Sequence, residues 1–219
     1  TVEILLATSA FTFGAPQVVT LGDFTTGIGA GDFDGSNGLD LVVANHFSNN
    51  VSFVFNDGTG HFAELVDGGG NPLRIATGGG PIELAVGDFD GDGDPDPLTA
   101  NVYSGAASSV SFLENQGSRT FVARNLPGLS RTGSVAIADF DRDGKMDYAI
   151  ETWSTNAIGL AIFVAQSDGT YKQSASWPDD GRNASRSALV AGRVDADAVP
   201  DIVTGHAGAD TLGIYLSNP

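Results

Sequence analysis

The oxygen-rich chemistry of this chain is concentrated in four short loops of aspartate and glycine. They read GDFDGSNGLD (31–40), GDFDGDGDPD (87–96), ADFDRDGKMD (138–147) and GRVDADAVPD (192–201). In the second, carboxylates fall at loop positions 1, 3, 5, 7 and 9, counted from Asp88, with glycine at position 6. Alternate side chains on a tightly curled loop converge, and Gly93 permits the sharp turn this requires. Calcium takes six to eight hard oxygens from carboxylates and carbonyls in a flexible cage, whereas magnesium dehydrates reluctantly and avoids all-protein cages. Aspartate and glycine also make ordinary turns. That explains one loop, but not three that repeat carboxylates at positions 1, 3 and 9.

The elements that must position these loops read as short strands. A first strand runs into each loop (82–89, 133–140, 187–194) and a second leaves it (41–45, 97–101, 148–152, 202–206). A third follows at 51–55, 110–114, 158–164 and 212–216. A polar turn then leads to an aromatic, Phe62, Phe121 or Tyr171, that opens a fourth. Apolar alternation and short apolar runs mark half-buried and buried strands, and the turn residues suit hairpins. The loops at 32–40, 88–96, 139–147 and 193–201 recur about every fifty residues, as in a repeat array. Four antiparallel strands repeated radially describe a propeller blade. The expected fold is therefore an all-β propeller, with residues 1–219 as one repeat array.

Residues 2–13 match a third strand, its turn and the start of a fourth, while 212–219 end on another third strand. One third strand is redundant in a four-blade ring. Three arrangements follow: a segment of a longer propeller, two chains exchanging terminal strands in a homodimer, or a ring closed by the N-terminal strand. Open strand edges call for a partner surface.

Composition narrows function. A formal charge of −17 argues against nucleic acid, which requires Lys and Arg against phosphate. No apolar run approaches a membrane span of ~20 residues. There are no cysteines, hence no disulfides and no thiolate metal sites. The three histidines, His46, His61 and His206, match no catalytic signature, and phosphate loops and nucleophile elbows are missing. The chain is expected not to be an enzyme.

The motif D-x-[DN]-x-[DN]-G-x-x-D before an apolar strand resembles the FG-GAP/VCBS repeats found in the propeller of integrin α subunits. An EF-hand fits less well, since it closes with glutamate at position 12 between helices. The resemblance implies side-chain ligands at positions 1, 3, 5 and 9 and a carbonyl at 7. By position these are Asp88, Asp90, Asp92 and Asp96 with Asp94, and Asp139, Asp141, Asp143 and Asp147 with Lys145. The first loop supplies Asp32, Asp34, Ser36 and Asp40 with Gly38. Its neutral Ser36, and Asn37 in place of glycine, predict weaker binding. In the fourth loop Arg193 stands at position 1 and Ala198 at position 6. A guanidinium among carboxylates substitutes for a cation, so two to three calcium ions are expected and none at 193–201.

Calcium modules that bind at about 10⁻⁴–10⁻³ M work outside cells, which points to a secreted or cell-surface protein. The connections after the second strands gather Asn45, His46, Phe47, Asn101, Tyr103, Trp153 and His206. The resemblance makes that end the ligand face. Aromatics and amides there suit a protein or peptide in an adhesion module, or a glycan in a lectin-like one. An accessory domain of a polysaccharide-degrading enzyme is a further alternative.

Overall fold

The computed structural model describes residues 1–217 except 37, 104, 106–108, 153–157, 179–186 and 207–209. Trp153 therefore lies outside the described residues. Every regular element among them is a strand.

A bent hairpin comes first, with β1 (Val2–Ile4) paired to β4 (Gln17–Val19), and β2 (Ala7–Ser9) to β3 (Thr12–Phe13). The first blade is β5 (Thr25–Gly31), β6 (Asp40–Asn45), β7 (Asn50–Asn56) and β8 (Phe62–Glu64), with β9 (Ile75–Ala76) also pairing β7. The second is β10 (Pro81–Gly87), β11 (Asp96–Asn101), β12 (Val110–Asn115) and β13 (Phe121–Leu126). The third is β14 (Thr132–Ala138), β15 (Asp147–Thr152), β16 (Leu160–Ala165) and β17 (Tyr171–Trp177). The fourth has three strands, β18 (Ser187–Gly192), β19 (Asp201–His206) and β20 (Thr211–Tyr215). All pairings are antiparallel, and within the four blades they join consecutive strands, as short turns dictate, with β9 on β7 as the exception. The four sheets stand as the blades of a β-propeller.

The innermost strands pack in series: β5 on β10, β10 on β14, β14 on β18. They approach closely enough that a Cβ on Gly27 would lie 2.9 Å from the Glu83 Cα, so only glycine fits there. The core lies between blades. Phe33, Phe53 and Phe121 interlock blades one and two, with Phe53 stacked on Phe121 at 3.7 Å. Phe89, Phe112, Tyr148 and Tyr171 do the same for blades two and three. Trp177 packs toward blade four against Tyr215.

The N-terminal hairpin does not close the fourth blade. β4 pairs with β1, and Val2, Ile4 and Val19 pack with Val43, Val54 and Phe62 of blade one. The apolar side of the hairpin matches the outer half of that blade, so it settles there.

Candidate functional site

Each acidic loop is delivered by a first strand and closed by a second. The closing aspartates, Asp40, Asp96, Asp147 and Asp201, are the first residues of their strands and are fully buried. One oxygen of each accepts from the N–H at loop position 2: Phe33 at 3.0 Å, Phe89 at 3.0 Å, Phe140 at 2.9 Å and Val194 at 2.8 Å. The other accepts from the N–H at the end of the third strand: Asn56, Asn115 and Ala165 at 2.8 Å, and Ser217 at 2.9 Å. A carboxylate has lone pairs beyond two such bonds. The same group can therefore pin the blade and face an ion.

In the first three loops positions 1, 3 and 9 converge: Asp32, Asp34 and Asp40; Asp88, Asp90 and Asp96; Asp139, Asp141 and Asp147. Within each set the nearest ligand oxygens lie within 4.8 Å of one another. The curl is held by N–H donors to position 1, such as Gly91 at 2.8 Å and Gly93 at 3.1 Å to Asp88. It needs left-handed backbone at two places, position 4 as well as position 6. Gly91 and Gly93 have φ of 84° and 99°; in the third loop Arg142 and Gly144 have 64° and 88°. The sequence motif signals only the second of these.

Burial pushes Asp96 up to about 6, against the pull of its two N–H donors. It raises Asp40 and Asp147 as well. Asp90 is raised by burial and then by the charge of Asp92. Such carboxylates ionise at a cost that a divalent cation removes, and their hard oxygens fit calcium. Asp32, Asp34 and Asp40, with the two corresponding sets, would hold it. It would there neutralise the cluster and cross-link loop to strand.

Position 5 stands apart. Asp92 accepts from the Asp94 N–H at 2.9 Å, and Asp143 accepts from the Lys145 N–H at 2.9 Å and its Nζ at 2.7 Å. These contacts, Lys145 first, hold Asp143 below the usual carboxylate range. Ser36 likewise donates its hydroxyl to Asp34 at 2.6 Å. Ser36, Asp92 and Asp143 therefore lie outside the three-carboxylate sets, and the Gly38, Asp94 and Lys145 carbonyls belong only to the expected coordination. Asn37 is outside the described residues.

The guanidinium expected in the fourth loop is found in the first. Arg119, from the β12–β13 turn of blade two, donates Nε at 2.9 Å and Nη2 at 2.6 Å to Asp34 Oδ2. Its guanidinium also lies 4.4 Å from the Phe55 ring centre. Burial acts to raise Asp34, but Ser36 and Arg119 outweigh it and leave the carboxyl below its ordinary range. Among the described residues no ion pair joins Arg193 to the aspartates of its own loop, and Arg193 is exposed. That loop has no left-handed residue at Ala196 or Ala198, so it curls differently and gathers Asp195, Asp197 and Asp201 instead. Backbone donors from Val194 and Ser217 hold Asp201 low, outweighing the opposite pull of its burial.

At the opposite end of the strands the expected ligand residues separate into two groups. Asn45, Asn101 and His206 are buried. Asn45 Nδ2 donates to Asn50 and Ser52 at 2.8 and 3.0 Å, and Asn101 Nδ2 to Ser111 at 2.9 Å. His206 Nε2 lies 2.8 Å from Thr204 Oγ1, and its Nδ1 3.3 Å from Glu151. Asn45 and Asn101 turn inward to satisfy the third strands of their blades, whereas His206 meets its own strand and the second strand of blade three. His46, Phe47 and Tyr103 are brought together, and Phe24 joins them. His46, itself buried, lies 5.1 Å from Phe47 and 5.0 Å from Tyr103, while Phe24 stacks on Phe47 at 4.7 Å. Phe24, Phe47 and Tyr103 are 54%, 62% and 70% exposed.

The patch is firmly tied. His46 N–H donates to Phe24 O at 3.0 Å, Tyr103 N–H to Gly79 O at 2.9 Å and Gly80 N–H to Asn49 Oδ1 at 2.8 Å. Phe24 holds φ at 55°, a left-handed conformation uncommon for a bulky residue. Periodicity in sequence gives no sign of it. The structure also forms a cleft of about 780 Å³ between the second and third loops, floored by Phe89, Phe112 and Tyr171 and edged by Arg124 and Lys145.

Residues 32–99, which run from the first acidic loop through the second, match the model of the FG-GAP-like repeat. No curated protein matches the chain. A crystal structure of a functionally unknown protein from Desulfotomaculum acetoxidans DSM 771 shares its fold, with a TM-score of 0.56 and 16% identity over 93% of this chain. The chain spans 60% of the length of that protein. It thus carries an FG-GAP-like repeat at residues 32–99 within a β-propeller of four blades.

Proposed function

We propose that this chain is a calcium-stabilised recognition module of the secreted or cell-surface space, which binds a protein or peptide and catalyses no reaction on it. The observation that carries the reading is the patch of Phe24, Phe47 and Tyr103. Three large rings stay exposed on loops knitted together by main-chain hydrogen bonds. Rigid exposed aromatics are what recognition surfaces use, and they bind with little loss of side-chain freedom. The three-aspartate loops at the other end support the calcium half, since metal binding couples to folding where like charges crowd.

Two measurements test it. Chelator should lower the unfolding midpoint, calcium should restore it, and calorimetry should count two to three ions; an unmoved midpoint would reduce the loops to turns. In parallel, peptide and glycan arrays are read with the wild-type chain and with Phe47→Ala and Tyr103→Ala. Saturable peptide or protein binding, lost in both variants at unchanged midpoint, is the expected result. Binding confined to one sugar class would replace this reading with the lectin-like one, and binding indifferent to both substitutions would remove the patch from function.

A further inference from the structure

The exposed rings between blades one and two surround a histidine that is itself nearly sealed. His46 is 5% exposed, and its ring centre lies 5.8, 5.1 and 5.0 Å from those of Phe24, Phe47 and Tyr103. Its Nδ1 lies 3.3 Å from the Pro81 carbonyl oxygen. A carbonyl only accepts, so Nδ1 carries the proton and Nε2 of the neutral ring is left as an acceptor. Among the described residues nothing donates to that nitrogen. The loops around it are held by left-handed backbone at Phe24, Asn49 and Gly80, with φ of 55°, 52° and 65°. A Cβ on Gly80 would lie 2.6 Å from the Tyr103 ring and 3.1 Å from His46 Cε1, so glycine stands where the two rings close in. Strain of this kind persists only where the surroundings impose it, and it gathers at binding sites.

Electrostatics select the sign of the ligand. Ring faces are negative, and the chain carries −17. The exposed Asp23 stands next to Phe24, and its carbonyl accepts the Phe47 N–H at 3.3 Å. No lysine or arginine belongs to the patch, and Arg74, the basic residue nearest Gly80 in sequence, is paired with Glu64 at 2.9 Å. We infer that the patch takes a basic side chain of the partner, a guanidinium or ammonium group. It lies over the rings of Phe47 and Tyr103 and donates an N–H to His46 Nε2. This rests on the recognition reading above and names the chemical group that reading leaves open. Cations are drawn to aromatic faces by the ring quadrupole. A carboxylate would meet negative ring faces, Asp23 and an acceptor nitrogen, and an apolar side chain would leave Nε2 unmet, which has a cost on a buried ring.

The test is an NMR titration of the whole chain with short glycine–serine peptides that differ in one central residue. That residue is arginine, lysine, citrulline, trimethyl-lysine, norleucine or glutamate. The arginine and lysine peptides should saturably shift the ring protons of Phe24, Phe47 and Tyr103 and the Nε2 resonance of His46, and the tighter of the two identifies the group. Citrulline keeps N–H donors without charge, and trimethyl-lysine keeps charge without a donor; each should bind about tenfold more weakly. Norleucine and glutamate should leave the patch unmoved. Phe47→Ala should erase the difference between arginine and citrulline, and Asp23→Asn should weaken arginine a few-fold. Citrulline or norleucine bound as tightly as arginine overturns the inference. So do arginine shifts confined to the acidic loops, or no shift at the patch with any peptide. Array ligands that need Phe47 and Tyr103 but carry no basic residue would overturn this inference alone and leave the recognition reading standing.

Discussion

Arg119 shows how one side chain changes the meaning of a loop. The first acidic loop has its three carboxylates within the same reach as the second and third. Its Asp34, however, already carries a guanidinium from the neighbouring blade. Calcium entering there must displace or crowd that group, whereas among the described residues no such competitor pairs with Asp90. Hydrogen bonds to charged groups contribute about 1.5–3 kcal/mol, which corresponds to about tenfold or more in affinity. If the proposed calcium sites exist, Arg119→Gln should therefore tighten the one in the first loop by about tenfold, read by calorimetric titration, and leave the others unchanged. A titration identical to wild type would mean that the first loop is limited by Ser36 alone.

At the scale of the element, the closing aspartate joins three strands whatever ion is present. It caps the start of its loop and the end of the third strand in all four blades, including the fourth, where position 1 is arginine. Asp201→Ala should lower the unfolding midpoint by several degrees, equally in calcium and in chelator. Asp96→Ala, which removes a pin and, on the proposed reading, a calcium ligand, should cost more in calcium than without it. Equal losses for Asp96→Ala in both conditions would argue against metal in the second loop. The strands, turns and closing aspartates were legible from period and composition, because they depend on neighbours a few residues away. The need for left-handed backbone at Arg142 was not, since nothing in an arginine announces it.

At the scale of the molecule, the blades are held by apolar faces with a few polar groups between them. Glu83 on β10 reaches β14, where the Ser134 hydroxyl donates to it at 2.7 Å. Burial raises its carboxyl above the ordinary value, with Ser134 pulling the other way. A raised folded-state value means that the folded chain holds this proton more tightly than the unfolded chain. Its contribution to stability is present below about 4.3, the ordinary value for glutamate, and is lost as pH rises through the folded value. Glu83→Gln keeps an acceptor for Ser134 without the charge. Its midpoint should exceed wild type at neutral pH, and the difference should shrink as pH falls toward 4.3, the ordinary glutamate value. A constant difference across that range would show that Glu83 stays charged and adequately solvated.

The sequence by itself determined the blade, the repeat and the positions of the carboxylates, because spacing within a strand–loop–strand unit fixes what that unit can form. It also placed His46, Phe47 and Tyr103 on one end of the propeller. Only the tertiary structure decided which of the nominated residues meet. It buried Asn45, Asn101 and His206, added Phe24, sent Arg119 across 85 residues to Asp34 and turned Asp143 toward Lys145. These outcomes depend on how separate blades pack against one another, and no local period records that.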